Sequence, residues 1–232
     1  MTPERYRRIR ATLDRRQPDL TLVMAGVHKP HNIAAIIRTC DAVGVFRAHA
    51  VLPDNRSRVP AGTAMGSQRW VDIRQHDTAE QAIRQVREGG CQVLAAHFSE
   101  HAVPYREIDF TRPTALLLGT EKYGVDEICA EQADEHVMIP MMGMVESFNV
   151  SVAAAIILSE ACEQRRRAGM YDRPRLDDET YRRTLFRWGY PRLAALCDER
   201  GLNYPSVDEQ GGVDAATLGM LEEGAGGSGP EQ

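Results

Sequence analysis

The sequence predicts an α/β fold, a parallel sheet with helices on both faces, and three observations carry that prediction. Short apolar runs at 20–25, 46–52, 91–97, 114–118 and 137–139 are bounded by Gly, Pro or polar residues, as buried strands are. Stretches with helical spacing lie between them, and strands that alternate with helices imply crossovers and a parallel sheet. Residues 150–158 are almost wholly apolar. A helix that is apolar all round is buried on more than one side, so this one should face its own sheet and, most simply, a second subunit.

Each element has its own grounds. Residues 3–17 hold Arg5, Arg7, Arg8, Arg10, Arg15 and Arg16 against Glu4 and Asp14. Ile9 and Leu13 give a thin apolar stripe, and the helix ends before Pro18. Such a basic face is either solvated or a phosphate-binding arm, and the arginine excess favours the arm. After the first strand, 20–25, Pro30 blocks continuation and Asn32 can cap a helix that Gly44 ends. Residues 53–67, with Arg56, Arg58, Gly62, Gly66 and Ser67, read as a surface loop or a basic substrate loop. A short strand is expected at 69–73, a helix at 79–88 closed by Gly89-Gly90, and a loop at 99–106. A short helix at 126–132 precedes the strand at 137–139, which stops at Pro140. Ser147 and Asn149 are both suited to cap the long apolar helix. A final helix is expected near 178–199, with Arg182, Arg183, Arg187 and Arg192. The Gly-, Glu- and Gln-rich stretch beyond Tyr204 reads as disordered.

Composition narrows the function. The 232 residues are 43% hydrophobic and 26% charged, ordinary for a globular protein. No run of about 18 apolar residues is present to cross a membrane, and the Arg-rich start lacks the apolar core of a secretory signal. Five widely spaced cysteines with no Cys-x-x-Cys pair argue against a disulfide scaffold or zinc site and for the cytosol. The seven histidines are scattered too, so no metal is expected. The net charge of -5 conceals an asymmetry: residues 201–232 hold six acids and no Lys or Arg, so residues 1–200 are slightly basic. An acidic whole therefore does not exclude an anionic partner.

Three strand-to-helix loops stand out, at 28–38, 119–124 and 140–149, each with Gly or Pro among polar side chains. Loops in that position are where α/β proteins place ligands. The chain has no Gly-x-x-x-x-Gly-Lys-Ser/Thr, no Gly-x-Gly-x-x-Gly after the first strand, no Gly-x-Ser-x-Gly and no evident Cys/His nucleophile pair. Gly119 and Gly143 still allow close main-chain approach to an adenine or ribose.

Three segments carry a resemblance. They are His28-Lys-Pro-His-Asn32 with Arg38, Leu118-Gly119-Thr-Glu121-Lys-Tyr-Gly124, and Ile139-Pro-Met-Met-Gly143-Met-Val-Glu-Ser147-Phe-Asn149-Val-Ser-Val152. Together they resemble the three motifs of the SpoU/TrmH family, RNA ribose 2'-O-methyltransferases of the SPOUT superfamily, over roughly residues 3–190. The basic ends, with Gly169-Met-Tyr-Asp-Arg-Pro174, are similar to the tRNA (guanosine-18) branch. The resemblance implies S-adenosylmethionine as methyl donor, the 2'-hydroxyl of a D-loop guanosine in tRNA as acceptor, a cytoplasmic homodimer and a C-terminal trefoil knot. It implies a basic N-terminal helix at 1–18, a methyltransferase domain at 19–168 and a helical tRNA-binding extension at 169–200; the acidic tail at 201–232 is extra to the resemblance. Carried over by position, Asn32, Arg38, Glu121, Ser147 and Asn149 would form the catalytic cluster. Ala96, Gly119, Ile139, Met144 and Phe148 would line the cofactor pocket, and Arg5, Arg8, Arg16, Arg165 and Arg173 would contact tRNA.

The residues leave other readings open. Asn32, Ser147 and Asn149 serve equally as helix caps, and Met141, Met142 and Met144 as packing. The same chemistry on another tRNA position or on ribosomal RNA is one alternative, and an RNA-binding protein without activity is another. Glu146 and Phe148 stand where the family often has Gln and Leu, and Glu163 where this branch commonly has Arg.

Overall fold

The computed structural model describes residues 1–51, 69–120 and 122–213. The loop at 53–67, Glu121 and the end of the acidic tail lie outside the described residues. The chain divides into two compact units, one of residues 16–173 and one of residues 1–15 with 174 onward.

The larger unit is built on β1 (Leu20–Ala25), β2 (Arg47–Val51), β3 (Asp72–His76), β4 (Gln92–Ala96), β5 (Val103–Pro104), β6 (Thr114–Leu118) and β7 (Glu135–Met138). They form one sheet in the order β3-β2-β1-β6-β4-β7-β5, and the neighbours pair in parallel. The apolar strands are buried because both faces are covered. Leu20, Leu22, Met24, Leu116 and Leu118 point to one side, where α2 (Pro30–Val43) supplies Ile33, Ile36 and Ile37. On the same side α5 (Val150–Arg167) supplies Ala154, Ile157 and Leu158. Val23, Ala115 and Leu117 point the other way, toward Ala82, Ile83 and Val86 of α3 (Ala79–Glu88) and Cys129 and Ala130 of α4 (Glu127–Ala130). The period-two alternation of each strand thus feeds two separate cores, and the predicted fold class is the one observed.

Several boundaries differ from expectation, each for a physical reason. Asn32 does not cap α2. Lys29 does, with Pro30 at the first helical position, and Asn32 is buried in the first turn. β3 runs 72–76 rather than 69–73, because Arg74 and Gln75 sit exposed on an edge strand where apolar residues are not required. β7 starts two residues before its apolar run, at Glu135. The loop expected at 99–106 contains β5 and a 3-10 turn at Tyr105–Glu107.

The smaller unit holds α1 (Pro3–Leu13), α6 (Asp178–Gly189) and α7 (Pro191–Arg200). Helix α1 is shorter than the 3–17 expected; its Thr2 cap accepts from the Arg5 amide, and Tyr6, Ile9 and Leu13 are buried at helical spacing. The single helix expected at 178–199 is two, because Pro191 opens α7 and lacks the N–H that continuation needs. Of the stretch expected to be disordered, the residues up to 213 are described. There Asp208 accepts from the amides of Gln210 and Gly212, Tyr204 lies 5.0 Å from Phe186, ring to ring, and the Gly211 carbonyl accepts from the Tyr190 hydroxyl.

Candidate functional site

The carboxyl ends of β1, β6, β4 and β7 lie side by side, and the three unusual loops leave from three of them. Ala96 ends β4, Gly119 follows β6, and Ile139 follows β7. Three of the expected cofactor positions therefore belong to three adjacent strands. Backbone amides and carbonyls that lie past the last ladder pairs face whatever sits at this edge.

The loop after β6 is held tightly. Thr120 and Gly124 exchange backbone hydrogen bonds of 2.8 and 3.0 Å, and the Thr120 hydroxyl accepts from the Tyr123 amide at 3.0 Å. Gly124 has φ +70°, where glycine is favoured. A Cβ on Gly119 would lie 1.9 Å from both the carbonyl carbon and oxygen of Gly124. Only glycine allows the two backbones to come this close.

Helix α5 begins at Asn149, whose side-chain oxygen accepts from the amide and hydroxyl of Ser151 at 2.9 and 2.6 Å. Its amide nitrogen donates to Asn32 Oδ1 at 3.2 Å. One side chain thus caps α5 and joins it to α2. Asn32 itself is 1% exposed. These are the two expected catalytic residues in direct contact. Arg38 lies further along α2 on its exposed face, and Ser147 is exposed ahead of the cap. Glu121 lies outside the described residues. Met144 and Phe148, expected at the cofactor, are exposed on the loop, as are Met142 and Val145.

The expected RNA contacts separate into two groups. Arg5, Arg8 and Arg173 are exposed. Arg16 and Arg165 are fully buried, which corrects the expectation that they touch RNA. Arg16 pairs with Asp41 and donates to the carbonyls of Asp41 and Val45. Arg165 donates to Asp19, Gln17 and three backbone carbonyls. Glu163 ties up the two remaining arginines of its run, meeting Arg166 and Arg167 at 2.8 Å each. Hydrogen bonding from Arg166, aided by Arg167, holds the Glu163 carboxyl at about 2.

Two further features escaped the sequence. His136 Nδ1 lies 2.8 Å from Ser99 Oγ and its Nε2 lies 3.0 Å from the Ala130 carbonyl. A lone histidine and a lone serine 37 positions apart carry no spacing signal. Cys40, Cys91, Cys129 and Cys197 are poorly suited to thiolate chemistry, since burial pushes Cys91 up to about 11 and raises the other three as well. Among the described residues, no three of His, Cys, Asp and Glu gather as metal ligands, and no helix is long and apolar enough to cross a membrane.

Comparison with known proteins places this geometry. Residues 19–159 match the model of the SpoU rRNA Methylase family, and residues 163–216 match that of a SpoU rRNA methylase C-terminal region. The chain is 51% identical over 217 residues to the tRNA (guanosine(18)-2'-O)-methyltransferase of Escherichia coli (strain K12), covering 93% of this chain and 95% of that one. A solved A. aeolicus TrmH/SpoU tRNA modifying enzyme superposes with a TM-score of 0.75 at 40% identity, over 81% of this chain and 96% of the other. The AdoMet-bound rRNA methyltransferase from Sinorhizobium meliloti superposes with a TM-score of 0.58 at 31% identity, over 68% and 59%.

Proposed function

Because the chain belongs to the SpoU methylase family, we propose that it methylates the ribose 2'-hydroxyl of guanosine 18 in the tRNA D-loop, with S-adenosylmethionine as donor. The observation that carries the reading is the 51% identity, over 93% of this chain, with a relative named for that reaction. The solved neighbour with bound AdoMet supports the cofactor. The residues present suit such a ligand: three adjacent strand ends offer backbone groups, and exposed Met142, Met144 and Phe148 offer apolar surface beside them. We assign Ala96, Gly119, Ile139, Met144 and Phe148 to hold it. When bound, it supplies a methyl group on a sulfonium centre that needs no further activation.

The chain must then bring the hydroxyl into line, and positioning supplies much of the rate. Arg38 is assigned that role. A guanidinium stays charged and has no acceptor, so it clamps a phosphate and orients the hydroxyl rather than taking its proton. Asn32 and Asn149 fix the start of α2 against the start of α5, with Ser147 and Glu121 completing the assigned cluster. Arg38→Lys keeps the charge and loses the fork, so turnover should fall on the order of 100-fold. Near-full turnover in that variant would remove the bidentate role.

Three finer points belong to the same reading. A homodimer is supported by the exposed apolar Val145 and Val152, which water alone does not favour. A trefoil knot is supported by the way β7 lies between β4 and β5, strands consecutive in the chain and joined by residues 97–102. Exposed Arg5, Arg8 and Arg173 suit a tRNA backbone in the cytoplasm.

The deciding assay offers labelled S-adenosylmethionine with a tRNA transcript, the same tRNA carrying 2'-deoxyguanosine at position 18, and a ribosomal RNA transcript. Transfer to the first alone is expected. No transfer, equal transfer to the first two, or preference for ribosomal RNA overturns the reading.

Glu163 gives a separate prediction. Its carboxyl is depressed, so the pairs with Arg166 and Arg167 exist above the ordinary carboxylate range and persist until pH falls through about 2. Assay pH does not release them, but Glu163→Gln does. Affinity for tRNA should rise, and the slope of log affinity against log salt should steepen by about one to two. An unchanged slope would mean that Arg166 and Arg167 do not reach RNA.

A further inference from the structure

We propose that Ser99 and His136 form a brace that positions the chain crossing β7 for the cofactor, with both acting as positioning residues. The inference rests on the cofactor site above and concerns two residues outside all three motifs.

Ala96 of β4 and Val103 of β5 both pair with Val137 of β7. The chain between them, residues 97–102, therefore passes from one side of β7 to the other within six residues. It leaves from Ala96 and passes β7 just before Ile139, so two of the assigned cofactor positions lie at its margin. Two hydrogen bonds tie this crossing to β7. The His97 amide donates to the Val137 carbonyl at 3.3 Å, and Ser99 meets His136 at 2.8 Å. A third, from the Ala102 amide to the Ser99 carbonyl, closes a turn within the crossing itself.

The chemistry of His136 sets the direction of each bond. A carbonyl can only accept, so Nε2 carries the hydrogen and donates to Ala130 at 3.0 Å. In the neutral ring Nδ1 is then the acceptor, and the Ser99 hydroxyl donates to it. The His97 ring sets its edge against His136 at 5.2 Å and 79°. One imidazole thus links the end of α4, strand β7 and the crossing, and the β4–β7 pairing does not require it. What the brace fixes is the crossing, which also carries Phe98, 79% exposed.

The test uses the full chain, tRNA and S-adenosylmethionine. Ser99→Ala removes the donor and should raise the KM for S-adenosylmethionine about tenfold, the scale of one hydrogen bond. Turnover at saturating cofactor and the KM for tRNA should change less than about twofold, and Ser99→Thr, which restores the hydroxyl, should recover most of the loss. His136→Asn should weaken the cofactor similarly, and the double variant should be no worse than either single one. An unchanged cofactor KM in Ser99→Ala overturns the proposal. So does a loss shared by turnover and both KM values in step with lowered thermal stability, which marks a brace for folding alone. If the unaltered chain transfers no methyl group, the activity and this inference fail together. If it does transfer and Ser99→Ala matches it, the inference fails alone.

Discussion

Gly119→Ala should abolish methyl transfer and destabilise the chain by about 3 kcal/mol, the upper range for forcing an atom into a packed site. The added carbon would meet backbone, the Gly124 carbonyl at 1.9 Å and the Val125 nitrogen at 2.1 Å, so no side chain can rotate away. Relief requires opening the Thr120–Gly124 bridge, which shapes the loop after β6. Transfer should fall by at least about 100-fold, since small displacements at a reacting centre cost that much. Gly143→Ala is the control. A Cβ there meets nothing within 4 Å, so stability should stay within about 0.5 kcal/mol. Chemical denaturation of both variants, beside the transfer assay, checks the pair. Equal stability of the two would mean that the loop yields at no cost.

The second large effect is expected at Arg165. Its guanidinium is fully buried and donates to Asp19 Oδ1 at 2.7 Å, Gln17 Oε1 at 3.2 Å, and the carbonyls of Phe110, Arg112 and Asp19 at 2.8, 2.9 and 3.1 Å. Arg165→Met keeps most of the volume and strands these acceptors, at a cost of about 3–5 kcal/mol. Arg165→Lys retains the charge but not the planar fork, and should fall between the two. Urea unfolding measures the loss. A loss below about 1 kcal/mol together with weakened tRNA binding would return Arg165 to the RNA surface, where its family resemblance had put it.

Arg165 also shows where a sequence stops being legible. Arg165, Arg166 and Arg167 are chemically identical and adjacent, yet one is buried and two are exposed. The difference comes from helix phase. Arg165 continues the buried stripe of Ala154, Ile157, Leu158 and Ala161, and its partners come from residues 17–19 and 110–112. Such long-range partners leave no local trace. Buried strands were readable because apolar runs have few uses, whereas β3, at the sheet edge, and the first two residues of β7, which pair with β4 alone, use polar residues and so shifted by two or three positions. Asn149 was readable as a cap from its type, but its hold on Asn32, 117 positions away, was not. The motifs located the strand ends at Gly119 and Ile139; they said nothing of Ser99 and His136, which no motif spans.

The position of β6 bears on how the chain is made. It pairs with β1 from Leu20↔Thr114 to Met24↔Leu118 and with β4 from Gln92↔Thr114 to Ala95↔Leu117, yet it is synthesised after both. During translation β1 and β2 can pair early, while the other edge of β1 has no partner until residues 114–118 emerge. β4 waits for the same segment before joining the sheet. Half of the sheet is therefore assembled around one late strand, with contacts of long sequence separation, and folding should be slow for a domain of this size. Apolar edges that wait in this way are open to mispairing, so the yield of folded chain will depend on how quickly residues 92–118 follow β1 out of the ribosome.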